Sequence, residues 1–290
     1  MGWSQHLAAP EAQQVREIAA AAAAADGTAP LSEQVLLSLD NGSPARHFVH
    51  EGVGYANLLP AHGEHPATAE VVVAPAHRRR GIGSRLVAAA VGEGAHVWAH
   101  GDLPAAQAVA HQLGLTVARE LLQLRRPLDE LPEMVVPQGI TLRTYAGPAD
   151  DAELLRVNNA AFSWHPEQGG WTGADIAARR ETEWFDPAGL FLAVAADGRI
   201  AGFHWTKVHL GTADGDVGEV YVVAVDPQVH GRGLGRVLTL AGLHHLRARG
   251  LAQAMLYVES DNAAAVRTYT RLGFSKHFSD VAYMNAASSG

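Results

Sequence analysis

Residues 71–83 read Val-Val-Val-Ala-Pro-Ala-His-Arg-Arg-Arg-Gly-Ile-Gly, and residues 223–235 read Val-Ala-Val-Asp-Pro-Gln-Val-His-Gly-Arg-Gly-Leu-Gly. Each runs from β-branched residues through a proline into a basic, glycine-punctuated turn. Each then enters an amphipathic stretch, Ser84 to Val91 in one case and Arg236 to Arg249 in the other. The pattern is strand, turn, helix, written twice at a spacing of 152 residues, about one domain length. A chain of 290 residues has room for one large or two medium cores, and the repeat decides for two.

Such a turn is suited to anions. A helix N-terminus leaves its first N–H groups unpaired and carries partial positive charge, while Gly81, Gly83, Gly233 and Gly235 let a phosphate approach the backbone. Arg78, Arg79, Arg80 and Arg232 add charge nearby. A Walker A loop would need Gly-Lys-Ser/Thr, and a dinucleotide fingerprint the full Gly-x-Gly-x-x-Gly with an acidic residue about 20 positions on; neither copy has these. The observed forms are Arg78-x-x-Gly81-x-Gly83 and His230-x-x-Gly233-x-Gly235.

These forms resemble the coenzyme A pyrophosphate loop of the GNAT acyltransferase superfamily. The resemblance implies acetyl-CoA as cosubstrate, with up to one molecule per domain. In the second copy it would lie against Val223, Ala224, Val225, His230, Gly231, Arg232, Gly233, Leu234, Gly235 and Arg236. In the first the counterparts are Val71, Val72, Val73, Arg79, Arg80, Gly81, Ile82, Gly83 and Ser84. His230 stands where the family usually has Gln or Arg, which changes the side chain and leaves the backbone amides in place.

The rest of the chain fits around the two turns. Helices are expected at Glu11 to Ala25 and Pro104 to Leu113, a short helix or turn at Leu31 to Leu39, and strands at Arg46 to His50, Val53 to Leu59, Ala67 to Ala74, His96 to His100 and Leu115 to Arg125. Asp40-Asn41-Gly42 carries a hairpin signal. The aperiodic, proline-bearing stretch at about 126–138 reads as a linker, giving domains 1–138 and 139–290. The second half restarts with a strand (Ile140 to Tyr145), helices (Asp150 to Phe162, Thr172 to Trp184), a hairpin around Ala196-Asp197-Gly198 and a strand from Gly218 to Val225. A strand (Ala254 to Glu259), a helix (Asn262 to Leu272) and a last strand (Phe274 to Met284) follow the second turn. The class is α/β, a mixed sheet with helices on its faces, in the element order of two tandem GNAT domains.

Direct acetyl transfer to an amine needs a cradle for the cosubstrate, a base for the amine and an acid for the departing thiolate. Glu219 lies four residues before Val223 on the strand that enters the second turn, where a carboxylate can act as the base. Tyr269 sits in Asn262-Ala-Ala-Ala-Val-Arg-Thr-Tyr269-Thr-Arg-Leu-Gly-Phe274, similar to the GNAT helix whose Asn touches the cofactor arm and whose Tyr is aimed at the sulfur. That resemblance makes Tyr269 the acid and adds Asn262, Ala263, Ala264, Ala265, Val266 and Arg267 to the cofactor contacts. Taken alone, Glu219 reads as a solvent-facing strand residue and Tyr269 as a core aromatic. Overlaying the halves on their glycine turns puts Ala67 opposite Glu219. Matching Gln112-Leu113-Gly114 to Arg271-Leu272-Gly273 puts Ala110 opposite Tyr269 and Leu103 opposite Asn262. The first copy is thus expected to bind coenzyme A without turnover.

A closer resemblance spans both halves. Pro30 to Gln34, His165 to Trp171, Trp205-Thr206-Lys207-Val208-His209, Gly218 to Val223 and Leu256 to Asn262 are similar to a tandem-GNAT family of actinobacteria that acetylates the cysteinyl amine of a cysteinyl-glucosaminyl-inositol. The resemblance implies that Glu33, Glu167, Lys207, Glu219 and Tyr257 contact this small-molecule substrate. Carboxylates around a polyol bearing an ammonium are chemically apt, since they accept hydroxyl hydrogen bonds and attract the charge.

Composition narrows the alternatives. A formal charge of −8 argues against a protein that coats nucleic acid or an anionic membrane. Zero cysteines exclude disulfides, cysteine metal sites and a cysteine nucleophile. The sequence shows neither a signal-peptide pattern nor an apolar run of membrane-spanning length, so a cytoplasmic protein, expected to be monomeric, is the reading. Sixteen histidines invite a metal, but His244-His245 point about 100° apart on a helix and His47-x-x-His50-Glu51 lacks zincin spacing; no metal is expected. Two alternatives stay open: a tandem GNAT enzyme acting on another small amine or a protein N-terminus, and a non-catalytic acetyl-CoA sensor.

Overall fold

The computed structural model describes residues 2–286 apart from 40–42, 64, 164–168, 213 and 230–232. The hairpin signal at 40–42 lies outside the described residues. In chain order the elements are α1 (Ala9–Asp26), α2 (Glu33–Ser38), β1 (Arg46–His50), β2 (Gly54–Leu59), β3 (Thr68–Val73), α3 (Ile82–Gly92), β4 (His96–Ala99), α4 (Pro104–Gln112) and β5 (Leu115–Pro127). There follow β6 (Ile140–Thr144), α5 (Asp151–Ala161), α6 (Gly173–Arg180), β7 (Leu190–Ala195), β8 (Ile200–Thr212), β9 (Gly215–Val225), α7 (Leu234–Ala248), β10 (Gln253–Glu259), α8 (Ala263–Arg271) and β11 (Ser275–Asn285). Among the described residues no helix is long and apolar enough to cross a membrane.

The chain forms two compact units, one of Met1–Leu122, Glu259–Asp261 and Phe278–Gly290, the other of Gln123–Val258 and Asn262–His277. The sequence repeat would divide the chain at 138/139, whereas the units assign the residues from Gln123 to the second and those from Phe278 to the first. Residues 128–139 hold no helix or strand. The chain's last strand returns to the first unit, where Val281, Ala282 and Tyr283 pair antiparallel with Ala99, Trp98 and Val97. An open edge on β4 would present unpaired backbone groups, and β11 satisfies them.

In the first unit the order is β1-β2-β3-β4-β11. β1, β2 and β3 form an antiparallel meander, and β4 runs parallel to β3 after the α3 crossover. Alternation along the strands gives each face its own helix. Tyr55 and Val72 meet Val15, Ile18 and Ala22 of α1, while Ala56, Val71 and Val73 meet Ile82 and Leu86 of α3.

The second unit has the order β10-β9-β8-β7-β6, with β10 parallel to β9 after the α7 crossover. Leu234 and Leu238 of α7 cover Ala193 and Ala201, and Leu154, Val157, Ile176, Phe203 and Trp205 fill the opposite face. Burying each such leucine contributes roughly 1.5–3 kcal/mol. The helix expected from Thr172 to Trp184 stops at Arg180. Thr172 and Asp175 form its capping box, and the Thr182 hydroxyl donates to the Arg179 carbonyl just past its end, freeing Trp184 and Phe185 to pack on Trp205. β9 begins at Gly215, three residues before the expected Gly218, because its hairpin with β8 continues to the Thr212–Gly215 pair.

One irregularity shapes the second unit. β8 pairs Trp205 with Val222 but Thr206 with Val220, so Tyr221 is an extra residue, a β-bulge on β9. The corresponding β2–β3 ladder runs unbroken from Gly54–Val73 to Leu59–Thr68.

Candidate functional site

Three strands of the second unit bring the polar groups together. β8 pairs Lys207 with Glu219 of β9, and β10 pairs Met255 with Glu219, so these three side chains share one sheet face. His209 and Trp205 flank Lys207 at alternate positions on that face, and Tyr257 lies two residues beyond Met255. Glu219 is buried, and His209 Nε2 donates to its Oε2 at 2.6 Å. Lys207 Nζ lies 5.0 Å from the Trp184 ring centroid and 5.7 Å from that of Tyr221, a cation–π seat. Arg179 Nε donates to Tyr221 Oη at 3.1 Å and its guanidinium covers Trp171. Tyr257 is exposed and accepts from Gln123 Nε2 at 2.7 Å.

The parallel β9–β10 ladder consists of Gly218–Ala254 and Glu219–Met255, and Val220–Val225 continue past it toward the glycine turn. Gly233 closes that turn as the α7 N-cap at φ 71°, a left-handed conformation that favours glycine. A Cβ on Gly235 would meet Val225 at an ordinary 3.9 Å, leaving its other side open. Tyr269 on α8 packs edge-on against Phe274 with centroids 5.8 Å apart. Burial raises its hydroxyl to about 12, so it stays a neutral phenol near pH 7. Asn262 caps α8, its Oδ1 accepting from Ala265 N at 3.1 Å.

The first unit holds a cavity of about 760 Å³ at its own turn, lined by Val71–Val73, Gly81–Ser84, Trp98, His100 and Leu103 among others. Gly81 caps α3 at φ 77°, and Arg79, a non-glycine residue, sits at φ 63°, a local strain at the turn. Arg78 is committed elsewhere: it forms a two-pronged pair with Asp26 at 2.7 Å for each contact and donates to the Val73 carbonyl, so Arg79 and Arg80 are the exposed basic groups. His100 lies 3.5 Å from Asp280 and 3.3 Å from Glu70. Burial opposes its charge, but attraction to Asp280 and Glu70 prevails and raises it to about 10.

A group raised this way stabilises the fold fully below its unfolded value of about 6.5, and the contribution is lost as pH rises through about 10. The melting-temperature gap between the natural chain and His100→Gln is expected to be widest below about pH 6.5 and to close toward pH 10. A gap constant across that range would show that the cluster carries no proton-linked stability.

Both turns sit where the sequence motifs match known families. Residues 157–274 match the acetyltransferase (GNAT) family, and residues 43–115 match the acetyltransferase (GNAT) domain. The chain is 64% identical to the mycothiol acetyltransferase of Nocardia farcinica (strain IFM 10152), with 97% of this chain and 96% of that protein covered. It is 58% identical to that of Rhodococcus opacus (strain B4), with 98% of each covered. The chain belongs to the mycothiol acetyltransferase family. A GCN5-related N-acetyltransferase from Sphaerobacter thermophilus has the same fold at TM-score 0.70 and 25% identity, with 97% of this chain and 94% of that one covered.

For a mycothiol acetyltransferase family member, the second unit gathers Lys207, Glu219 and Tyr257 on one face. Glu33 is exposed in the first turn of α2, in the first unit. Glu167, His230, Gly231 and Arg232 lie outside the described residues. Aligning the glycine turns paired Ala67 with Glu219; the ladders correct this to Thr68, because Leu59 opposite Thr68 corresponds to Lys207 opposite Glu219 once the extra Tyr221 is counted. Sequence reasoning gave no role to His209, Trp184, Arg179 or His100. For His209 a signal existed, since it follows Lys207 by two and shares its face in any strand. Among the described residues no group of three or more His, Cys, Asp or Glu could hold a metal ion.

Proposed function

We propose that the chain is an acetyl-CoA-dependent N-acetyltransferase of mycothiol synthesis, acting on the cysteinyl amine of a cysteinyl-glucosaminyl-inositol. The observation that carries this reading is Glu219, buried at the last rung of the β9–β10 ladder, on the strand that feeds the second glycine turn. Full-length identity to mycothiol acetyltransferases supports the choice of substrate.

Acetyl-CoA supplies an acetyl thioester. The α7 N-terminus with Gly233, Leu234, Gly235 and Arg236 holds its pyrophosphate, aided by His230, Gly231 and Arg232. Val223, Ala224 and Val225 hold the arm by their backbone, and Asn262 to Arg267 line it at the start of α8. An α-amino group near pKa 8 is largely protonated at pH 7 and must lose a proton to attack. Glu219 takes that proton. Tyr269, neutral at working pH, gives one to the departing sulfur. Lys207, Tyr257 and Glu167 hold the sugar and inositol hydroxyls.

The first unit, in this reading, takes a second acetyl-CoA through Val71–Val73, Arg79, Arg80 and Gly81–Ser84 and does not turn it over, since Thr68 replaces the base. The testing experiment mixes the full chain with acetyl-CoA and the conjugate, follows free CoA, and maps the acetylated nitrogen by mass spectrometry. Acetylation of the cysteinyl amine is expected. Turnover only with other amines or peptide N-termini would move the reading to a different tandem acetyltransferase, and binding without turnover to a sensor.

A further inference from the structure

Glu219 has two basic residues within reach on β8. Lys207 is its direct cross-strand partner, yet the ammonium lies over the rings of Trp184 and Tyr221. Tyr221 is itself held by the hydrogen bond from Arg179, and it reaches this position because it is the bulged residue of β9. The carboxylate instead receives His209 Nε2 on Oε2 at 2.6 Å. Both side chains of this pair are sheltered, with 10% of Glu219 and 28% of His209 exposed.

The choice of partner matters chemically. An ammonium in contact with a carboxylate stabilises its charged form and weakens it as a base. A single imidazole N–H does less of this, and it adds direction: one oxygen is fixed and the other is left for an incoming proton. A glutamate side chain has three torsions to order, and a misplaced reacting group can lose on the order of 10²-fold in rate.

We propose that His209 is a positioning residue for Glu219, donating Nε2–H to Oε2 so that the second carboxylate oxygen faces the substrate amine, while Trp184 and Tyr221 keep the Lys207 ammonium off the carboxylate. The proposal rests on the reading of Glu219 as the base. The proton taken from the amine resides on Glu219; His209 keeps its own throughout.

Steady-state kinetics on the full chain test it, with acetyl-CoA and the conjugate varied separately and thermal melts run on every variant. His209→Leu keeps bulk and removes the donor; it is expected to lower kcat by roughly 10- to 100-fold with each KM changed by less than about threefold. His209→Gln places an amide N–H near the same spot and is expected to recover most of the rate. In a Glu219→Gln background, His209→Leu is expected to add almost nothing, because it acts through that carboxylate. Equal rates for the Leu and Gln variants, both folded by their thermal melts, overturn the proposal. So does a His209→Leu loss that persists undiminished beside Glu219→Gln. Wild-type turnover by Glu219→Gln alone would instead remove the base assignment; a crippled Glu219→Gln with a normal His209→Leu removes only the role of His209.

Discussion

Glu219→Ala is expected to lower turnover by roughly 10²–10⁴-fold, the contribution of a positioned general base. Two observations set this size. The carboxylate is buried beside His209, so bulk water is a poor substitute in the same place. It also stands at the last rung of the β9–β10 ladder, on the sheet face that carries Lys207 and Tyr257. The amine deprotonates unaided above about pH 8, so part of the loss is expected to return between neutral pH and pH 9. The KM for acetyl-CoA should change little, because Glu219 is not among the residues proposed to hold its pyrophosphate. Near-normal kcat at pH 7 in a folded Glu219→Ala variant would take Glu219 out of the chemistry.

What was legible in the sequence was what local chemistry dictates. Glycine at the end of a basic loop leaves the left-handed conformation open at low cost, and Gly81 and Gly233 adopt it as N-caps. Strand, turn and helix could be read twice because period-2 and period-3.6 patterns are local. What escaped depends on register and on distant partners. His209 meets Glu219 because the β8–β9 register sets Lys207 opposite Glu219 and His209 opposite Val217. One bulged residue, Tyr221, shifted the equivalence of Glu219 from Ala67 to Thr68, and no glycine-turn alignment could have counted it. Arg78 belongs to the basic loop by sequence, yet Asp26 at the end of α1 claims it. His100 acquires its two carboxylates from β3 and from the final strand, and the second is 180 residues away in the chain. These are tertiary facts, and they decide which charges are free to act.

The contrast between the two cradles gives the second large effect. Gly235→Leu is expected to abolish measurable turnover, whereas Gly83→Leu is expected to cost far less. Each glycine lies in the first turn of its helix, and a Cβ at either meets only a strand valine, Val225 at 3.9 Å or Val73 at 3.8 Å. Neither substitution forces the protein apart at that atom, so the expected damage falls on whatever must approach the backbone there. Hydrogen bonds to a charged group are worth about 1.5–3 kcal/mol each, and loss of two corresponds to roughly 10²–10⁴-fold in affinity. At Gly235 that loss strikes the unit that carries Glu219 and Tyr269. At Gly83 it strikes a cavity whose strand has Thr68 where β9 has Glu219 and whose half-buried histidine is held as a cation by Glu70 and Asp280. Titration calorimetry separates the sites: Gly83→Leu should lose one acetyl-CoA equivalent while retaining most of its turnover, and Gly235→Leu should lose the other equivalent together with activity. Equal losses of turnover in two folded variants would mean that the first unit takes part in the reaction itself.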